Sequence, residues 1–366
     1  MFRVTISTPP RSYDAVIENN LLERSGQYLR ELLGGKKLFV VSVAPVAQKW
    51  GKKLLASLSG AGFTAKVLQL RDGERYKRLA AVEALAEKLS RLGADRDTVL
   101  VAFGGGIVGD VTGLLASLYM RGVPVVQIPT TVLAQVDASV GGKTGVNLRT
   151  GKNLVGTFHQ PLAVLIDPSV LATLPEREFR AGLYEVLKCG IIGNEELFAR
   201  LEKNTAITLR RDAVQLEWVI TQSVKLKAEV VSADEKENGL RRVLNLGHTI
   251  GHALEAATGY RHFLHGEAVA WGMIAATQIA ASLNKIDKET LDRITSVVLA
   301  LGPLPKVKVS SRDILQLLQT DKKTRSGVVH FVLPSQIGKV EIVNDVPTEA
   351  VLDAVNVLRQ FSNSSH

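Results

Sequence analysis

The sequence lacks three features that would each indicate a particular class of protein: paired cysteines, a long apolar run and abundant aromatic residues. The 366-residue chain has one cysteine, Cys189, so no intrachain disulfide can form, which is typical of a reducing compartment. No apolar run reaches the roughly 18 residues of a membrane span. The opening residues, MFRVTISTPP, lack the basic and apolar regions of a signal peptide. We therefore expect a cytoplasmic protein with no membrane partner.

The charge balance favours an enzyme that binds anions. Lysine and arginine total 45 against 36 acidic residues, a net charge of +9, and only 5% of the residues are aromatic. Nucleic-acid binding normally combines clustered basic residues with aromatic stacking residues, whereas here the basic residues are scattered. An excess of positive charge also suits a small anionic substrate. We expect a small-molecule partner and no nucleic acid.

The first 177 residues alternate short apolar runs with amphipathic stretches. Residues 2–6 and 13–17 alternate in polarity around a turn that contains Pro9 and Pro10, which predicts an opening hairpin. An amphipathic stretch such as 78–92 predicts a helix between strands, and this alternation is typical of a parallel sheet with helices on both faces. Five runs are predicted to be strands buried on both faces: 37–43, 66–70, 98–103, 123–129 and 162–167.

The second half of the chain has a different pattern. Leucine, alanine, glutamate and lysine at helical spacing dominate from residue 178 to 301, and a short hairpin is predicted within 328–343. The prediction is therefore an α/β N-terminal domain with a parallel sheet, residues 1–177, followed by a mainly α-helical C-terminal domain, residues 178–366. At roughly 150 residues per domain, two domains fit the length.

A glycine-rich segment, GGGIVGD at 104–110, follows a predicted strand and begins a predicted helix. It satisfies G-x-G-x-x-G, in which glycines let the backbone approach a pyrophosphate at a helix N-terminus. The alternative is a tight turn without a ligand. A Rossmann site also has an acid about 20 residues further on, which is missing here, although Asp72 and Glu74 follow an earlier strand. Nearby polar residues add to the nucleotide interpretation: Thr130, Thr131, Asp137, Lys143, Lys152 and Asn153.

Histidines cluster within 18 residues of the second half. NLGHTIGH places His248 and His252 on one helix face, and HGEAVAWGM places His265 at the start of another helix. GLYEVLKCG places Glu185 and Lys188 on one face at i, i+3. Imidazole and carboxylate together suit a Zn²⁺-type site, and the spacing alone pairs His248 with His252. Helix-capping histidines and a surface Glu–Lys pair are the alternative.

The motifs together resemble the 3-dehydroquinate synthase family, a member of the sugar phosphate cyclases. The segments that carry the resemblance include GGGIVGDVTG, RGVPVVQIPTTVLAQVDASVGGKTGVN, GKNLVGTFHQP, LYEVLK, LRRVLNLGHTIGHALE and FLHGEAVAWGM. The resemblance implies NAD, one Zn²⁺ or Co²⁺ ion and a homodimer. It implies a lyase that converts 3-deoxy-D-arabino-heptulosonate 7-phosphate into 3-dehydroquinate and phosphate, in the shikimate route to aromatic amino acids. The implied steps are transient oxidation by NAD, β-elimination of phosphate, re-reduction, ring opening and intramolecular aldol closure.

The resemblance also implies roles for individual residues. The metal ligands are Glu185, His248 and His265, with His252 turned towards the substrate. The residues around NAD are Asp72, Glu74, Lys77, Gly105, Gly106, Ile107, Val108, Gly109, Asp110, Thr130, Thr131, Lys143, Lys152, Val170, Leu171, Ala172 and Thr173. The catalytic residues are Asp137, Lys143, Lys188, Lys227, Arg241, Asn245 and His252. The substrate-binding residues are Asn153, Lys322 or Lys323, and Arg121, which reaches the phosphate in the neighbouring subunit.

One segment departs from the family pattern. The family often has an acid or asparagine after the second strand of the domain, near the adenosine. This chain has VVSVAPVA at 40–47, with Ser42 and no acid. Adenosine recognition is therefore expected to depend more on Glu74.

Three rival functions remain open at this point. A sister cyclase acting on sedoheptulose 7-phosphate uses the same chemistry and needs no carboxylate-binding group. The carboxylated substrate is favoured by the presence of Lys227, Arg241, Asn245 and His252. A metal-dependent polyol or glycerol-phosphate dehydrogenase would release NADH and need fewer basic residues. A non-catalytic nucleotide-binding or nucleic-acid-binding protein is suggested only by the charge of +9, and charge alone does not define a site.

Overall fold

The computed structural model describes residues 1–9, 11–324 and 329–364. The chain forms two compact units, each of which is discontinuous in sequence. The first comprises Met1–Pro175 and Ala213–Lys236, and the second comprises Glu176–Asp212 and Glu237–His366. None of the helices in the described part of the chain is long and apolar enough to cross a membrane.

The strands and helices are numbered in chain order. The strands are β1 Phe2–Thr8, β2 Arg11–Ile17, β3 Leu38–Val43, β4 Lys66–Leu70, β5 Val99–Gly104, β6 Val125–Pro129, β7 Lys143–Val146, β8 Val155–Phe158, β9 Ala163–Ile166, β10 Phe331–Gln336 and β11 Lys339–Val343. The helices are α1 Ser25–Leu33, α2 Ala44–Val46, α3 Lys52–Gly60, α4 Leu79–Arg91, α5 Gly106–Leu118, α6 Glu176–Gly193, α7 Glu195–Leu209, α8 Ala213–Ala233, α9 His248–Ala257, α10 His265–Ser282, α11 Lys288–Ala300, α12 Ser311–Thr324 and α13 Thr348–Ser364.

A seven-stranded sheet forms the centre of the first unit, in the order β1-β2-β9-β6-β5-β3-β4. The opening hairpin is confirmed, since β1 and β2 pair antiparallel with Val4 opposite Ala15. The remaining neighbours pair in parallel. Strands β3, β5, β6 and β9 are buried along their whole length, as their continuous apolar runs predict. A parallel α/β fold is therefore confirmed for this unit.

Strand β4 corrects one detail of the sequence prediction. Its run was expected to be buried on both faces, but Lys66, Val67 and Gln69 are exposed while Leu68 and Leu70 are buried. The reason is its place at the edge of the sheet, where only one face is covered. A short apolar run in the sequence does not distinguish a central strand from an edge strand.

Helices cover both faces of the sheet. On one face the core includes Leu85 of α4 and Leu114 of α5. On the other face it includes Leu29 of α1 and Leu58 of α3. Burial of these apolar side chains stabilises the unit, at about 25 cal/mol for each Å² of apolar surface removed from water. The carboxyl ends of the parallel strands are thereby held in fixed positions.

Helix α8 returns to the first unit after the chain has already entered the second. It packs against β1, and Ser232 Oγ accepts a hydrogen bond from the backbone N–H of Ser7 at 3.0 Å. At its other end Asn19 Nδ2 donates to Glu217 Oε2 at 2.5 Å. The sequence predicts two contiguous domains, 1–177 and 178–366. In the structure, α8 belongs to the first compact unit although it follows residues of the second in the chain.

The second unit is built around α10, which is buried along most of its length. Two glycines let neighbouring backbones approach it. A Cβ on Gly266 would lie 1.8 Å from the carbonyl oxygen of Ala181 on α6, and a Cβ on Gly272 would lie 1.8 Å from the carbonyl oxygen of Gly247. The predicted late hairpin is confirmed as β10 paired with β11. The mainly helical character of this part of the chain is also confirmed.

Candidate functional site

The glycine segment forms a turn between β5 and α5, as its spacing predicts. Gly104 ends β5, Gly105 precedes the helix in an extended conformation, and Gly106 is the first helical residue. A Cβ on Gly104 would lie 2.5 Å from Val108 Cγ2, and one on Gly106 would lie 3.3 Å from Ala138 Cβ. The first N–H groups of a helix have no partner within it and point towards an anion placed at its end. The turn is therefore closely packed and ends in a helix N-terminus, the kind of feature that can bind a phosphate.

A polar network lies beside this turn. Lys77 is 4% exposed, and its Nζ lies 2.5 Å from both Asp110 Oδ2 and Asn153 Oδ1. Asn147 Nδ2 donates to Glu74 Oε1 at 2.7 Å, and Asn147 Oδ1 accepts from the N–H of Asn153 at 2.8 Å. The structure thus brings together four residues expected around the cofactor or substrate, and it adds Asn147 between them.

Two further segments expected around NAD lie in the same unit. The backbone N–H of Thr130 donates to the carbonyl of Gly104 at 2.9 Å, next to the glycine turn. Thr130 Oγ1 is buried and has no hydrogen-bond partner among the described residues. Thr131 Oγ1 accepts from the N–H of Ala134 at 3.2 Å. The 3-10 turn Pro168–Thr173 contains Val170 and Leu171, both buried, and Ala172 and Thr173, which are exposed.

Asp137 and Lys227 form a pair that is separated by 90 residues of sequence. Asp137 lies in a single π-helical turn, Ala134–Ala138, a type of irregularity that is frequent at functional sites. Lys227 Nζ lies 2.5 Å from both the carbonyl oxygen and Oδ1 of Asp137. The side chain of Lys227 is 7% exposed and that of Asp137 is 32% exposed. Helix α8 therefore supplies the first unit with a buried cation beside an accessible carboxylate.

Lys143 follows a loop that two buried side chains hold. The N–H of Gly141 donates to Tyr13 Oη at 3.0 Å. A Cβ on Gly142, whose φ is +65°, would lie 2.6 Å from Gln160 Cδ. Lys143 itself begins β7 and is exposed, as are Asp72 and Arg121, while Lys152 is half-buried.

Three side chains of the second unit converge in the arrangement that the family resemblance implies. One ligand atom from each of Glu185, His248 and His265 lies within 4.8 Å of the other two. Glu185 is 1% exposed and pairs with Lys188, also buried, one turn along α6. Glu185 Oε1 has no hydrogen-bond partner in the described part of the chain and lies 3.6 Å from His265 Nε2. A buried carboxylate oxygen facing an imidazole nitrogen suits a divalent metal.

The histidine orientations fit the same interpretation. His248 Nδ1 donates to the carbonyl oxygen of Leu246 at 3.1 Å, so its Nε2 carries the lone pair. His265 Nδ1 lies 3.3 Å from Glu255 Oε2, which leaves its Nε2 directed at Glu185. Metal-bound histidines are usually held through the other ring nitrogen in this way.

A second group of potential ligands shares one residue with the first. Ligand atoms of His252, Glu255 and His265 also lie within 4.8 Å of one another. The His248 and His252 rings are 5.2 Å apart, as are the His248 and His265 rings. Neither of the two groups found among the described residues combines His248 with His252, the pairing that helical spacing alone suggested.

Burial and nearby charges move the pKa values of two histidines in opposite directions. Burial, followed by the charge of Lys188, lowers the pKa of His248 well below its usual range, which keeps the ring neutral. Burial also lowers the pKa of His265, but the carboxylates of Glu255 and Glu185 outweigh it, so the net pKa is raised. The site therefore concentrates negative charge around His265.

The other expected residues of the second unit are placed as follows. Arg241 is buried, and Asn245 Nδ2 donates to Glu237 Oε1 at 3.0 Å. His252 is exposed. Lys322 and Lys323 fall in the last turn of α12, and their side chains lie outside the described part of the structure.

Sequence reasoning missed Glu255 and Asn147. Glu255 follows His252 by three residues in GHALE, so helical spacing could have placed it near the histidines. Asn147 follows β7 directly, and a polar residue at a strand end in this region was a usable signal.

Comparison with known proteins identifies the family. A model of the N-terminal part of 3-dehydroquinate synthase matches residues 67–181, and a model of the C-terminal part matches residues 182–324. The chain belongs to the 3-dehydroquinate synthase family. Curated 3-dehydroquinate synthases support this: the protein from Koribacter versatilis (strain Ellin345) is 53% identical over 99% of both chains. The protein from Solibacter usitatus (strain Ellin6076) is 50% identical over 96% of this chain and 97% of its own length.

Solved structures of related cyclases share the fold. One is ValA, a 2-epi-5-epi-valiolone synthase from Streptomyces hygroscopicus subsp. jinggangensis 5008, which was solved with NAD⁺ and Zn²⁺ bound. It is 32% identical to this chain with a TM-score of 0.89, and the match covers 98% of this chain and 100% of ValA. A 2-deoxy-scyllo-inosose synthase, solved with carbaglucose-6-phosphate, NAD⁺ and Co²⁺, is 28% identical with a TM-score of 0.86, over 98% and 99%. Glycerol dehydrogenase from Schizosaccharomyces pombe is 19% identical with a TM-score of 0.69, over 95% and 89%, and shows the fold alone.

Proposed function

We propose that this protein is a 3-dehydroquinate synthase, a lyase that converts 3-deoxy-D-arabino-heptulosonate 7-phosphate into 3-dehydroquinate and phosphate in the shikimate pathway. The observation that carries the proposal is the convergence of Glu185, His248 and His265 in a chain whose family is 3-dehydroquinate synthase. The cofactors are NAD and one divalent metal ion, Zn²⁺ or Co²⁺, as in the two solved cyclases.

NAD is assigned to the first unit. The glycine turn supports this, because the helix N-terminus at Gly106 carries free N–H groups and a positive dipole end for the pyrophosphate. The unpartnered buried hydroxyl of Thr130 is a donor that a bound nucleotide would use. A bound NAD⁺ would supply reversible hydride transfer with the substrate alcohol. Lys77 keeps Asp110 and Asn153 in place beside the turn.

The metal is assigned to the second unit. The Oε1 of Glu185, which has no hydrogen-bond partner among the described residues, and the Nε2 atoms of His248 and His265 would supply three ligands to a divalent ion. When bound, the divalent ion lowers the pKa of the substrate hydroxyl and polarises the carbonyl that forms. Lys188 neutralises Glu185 inside the protein and is proposed to hold or move the hydroxyl proton. His252, the exposed member of the cluster, is proposed to serve elimination or ring opening.

Basic residues are assigned to the substrate anions. The substrate carries a carboxylate and a phosphate, about three negative charges at neutral pH. Lys143, Lys227 and Arg241 supply cations, with Asn153, Asn245 and one lysine of Lys322 and Lys323. Arginine binds oxyanions through two parallel hydrogen bonds, which suits Arg241 to this role. Lys227 also contacts the carboxylate Oδ1 and the backbone carbonyl oxygen of Asp137, each at 2.5 Å, so that carboxylate is oriented before the substrate arrives.

We further propose a cytoplasmic homodimer. Cys189, the one cysteine of the chain, is buried and forms no disulfide, which suits the cytoplasm. Arg121 lies on an exposed turn next to Leu118 and Met120, which are 52% and 45% exposed. Apolar side chains exposed together are typical of a protein–protein interface. The family resemblance gives Arg121 the role of reaching the phosphate in the neighbouring subunit.

A mixing experiment tests the shared site. Arg121→Ala and His265→Ala are each expected to be inactive, but they remove groups that different subunits contribute to one site. An equal mixture of refolded subunits should recover about a quarter of wild-type activity, because half the dimers are mixed and one of their two sites is intact. No recovery from a mixture that forms mixed dimers would contradict the sharing of Arg121.

A further inference from the structure

Glu255 lies behind the candidate metal site and has no role in the function proposed so far. It is in the last turns of α9, seven residues after His248 at the start of the same helix. The residue is only 3% exposed. A buried glutamate is rare unless a partner compensates the loss of hydration.

Glu255 contacts the nitrogen of His265 that faces away from Glu185. Glu255 Oε2 lies 3.3 Å from His265 Nδ1, while Glu185 Oε1 lies 3.6 Å from His265 Nε2. The two carboxylates therefore lie close to the two different nitrogens of the His265 ring. In the neutral ring, Nδ1 carries the proton that Glu255 accepts, so Nε2 has its lone pair towards Glu185 and His248 and is available to a metal ion.

The two histidines of the site are held by different means. His248 Nδ1 donates to a backbone carbonyl, that of Leu246, so no substitution can remove its acceptor. His265 depends on a charged side chain instead. A carboxylate acceptor fixes the tautomer and also makes the opposite nitrogen more basic, which strengthens its bond to a metal.

We infer that Glu255 is a positioning residue that orients His265 and raises its affinity for the metal, without itself binding the ion. This inference depends on the metal site proposed above. The alternative is that Glu255 is a ligand in the group formed with His252 and His265. The first group is favoured because it contains the buried, unpartnered Oε1 of Glu185, an atom that a metal would satisfy.

The test is Co²⁺ binding to metal-stripped protein, followed by visible absorption. Glu255→Gln keeps the size and an acceptor oxygen but removes the charge. It is expected to weaken Co²⁺ binding about tenfold to a hundredfold, the range typical for residues that support metal ligands. The spectrum of the Co²⁺-saturated variant should match that of the wild type, because the three ligands are unchanged. Glu255→Asp, which keeps the charge but shortens the side chain, should give an intermediate affinity.

Matched controls separate this inference from the proposed function. Glu196→Gln alters an exposed glutamate on α7 and should leave Co²⁺ affinity unchanged. Glu185→Gln should abolish tight binding. If the wild type binds no Co²⁺, the metal site itself is wrong. If the wild type binds but both Glu255 variants bind equally well, the positioning role is overturned. A changed absorption spectrum in Co²⁺-saturated Glu255→Gln would show that Glu255 is itself a metal ligand, which would also overturn the positioning role.

Discussion

Replacement of Lys227 by methionine tests the contact that ties α8 to the first unit. The variant removes two hydrogen bonds of 2.5 Å from a buried ammonium and leaves the apolar stem in place. Breaking a buried ion pair from one side costs about 3–5 kcal/mol, but water can reach Asp137, whose side chain is 32% exposed. We therefore expect a loss of about 2–3 kcal/mol in the free energy of unfolding of the first unit.

The chain offers a matched control and a local probe for this measurement. Lys225 is exposed on the same helix, so Lys225→Met should change the free energy of unfolding by less than about 0.5 kcal/mol. Trp50 and Trp218 lie in the first unit, so a Trp271→Phe background makes fluorescence report on that unit alone. Urea titrations of each variant give the stability change.

A double-mutant cycle with Asp137→Asn isolates the pair. The two substitutions should be non-additive by about 1–3 kcal/mol, because each removes the ion pair between Lys227 and Asp137. Turnover should fall at least about a hundredfold in Lys227→Met, since the side chain is assigned both to the substrate and to Asp137. Additivity within about 0.5 kcal/mol, with normal turnover, would refute the reasoning.

Three further predictions concern the metal site and the sheet. Gly272→Ala should lower the thermal midpoint and weaken Co²⁺ binding, because its Cβ would lie 1.8 Å from the Gly247 carbonyl beside His248. Gly60→Ala, at the end of α3 with open space around the new methyl, should do neither. Prolonged chelation should remove activity, and Zn²⁺ or Co²⁺ but not Mg²⁺ should restore it, because the ligands are imidazoles and a carboxylate; full activity in chelator would refute the site. Burial lowers the pKa of His159, despite its hydrogen bond to Val123. The wild type should therefore lose stability relative to His159→Gln as the pH falls below about 6.5. A constant difference in urea midpoint between the two proteins from pH 7.5 to 5.5 would contradict this.

The central strands of the fold were predictable from sequence because their apolar runs require burial on both faces. Strands β3, β5 and β6 illustrate this. The edge position of β4 was not predictable, because strand order depends on long-range pairing that a local run does not encode. The return of α8 to the first unit has the same origin: its helical periodicity shows that one face is buried, not which sheet buries it.

The local motifs of the site were predictable from sequence, whereas the contacts between residues far apart in the chain were less so. The glycine turn and the histidine cluster each have a local spacing that indicates their chemistry. The pairing of Glu185 with His248 and His265 came from family resemblance, because helical spacing alone favours His248 with His252. The contact between Lys227 and Asp137 joins residues 90 apart and has no local signal.

The most direct test of the central claim is phosphate release by the purified protein with NAD⁺ and Zn²⁺ or Co²⁺. The carboxylated heptulosonate 7-phosphate and sedoheptulose 7-phosphate are compared in parallel while NADH absorbance is followed. We expect phosphate from the carboxylated substrate only, with no net NADH, because the hydride is returned within each turnover. Phosphate from sedoheptulose 7-phosphate would make the protein a sister cyclase. Accumulation of NADH without phosphate would contradict the proposed elimination.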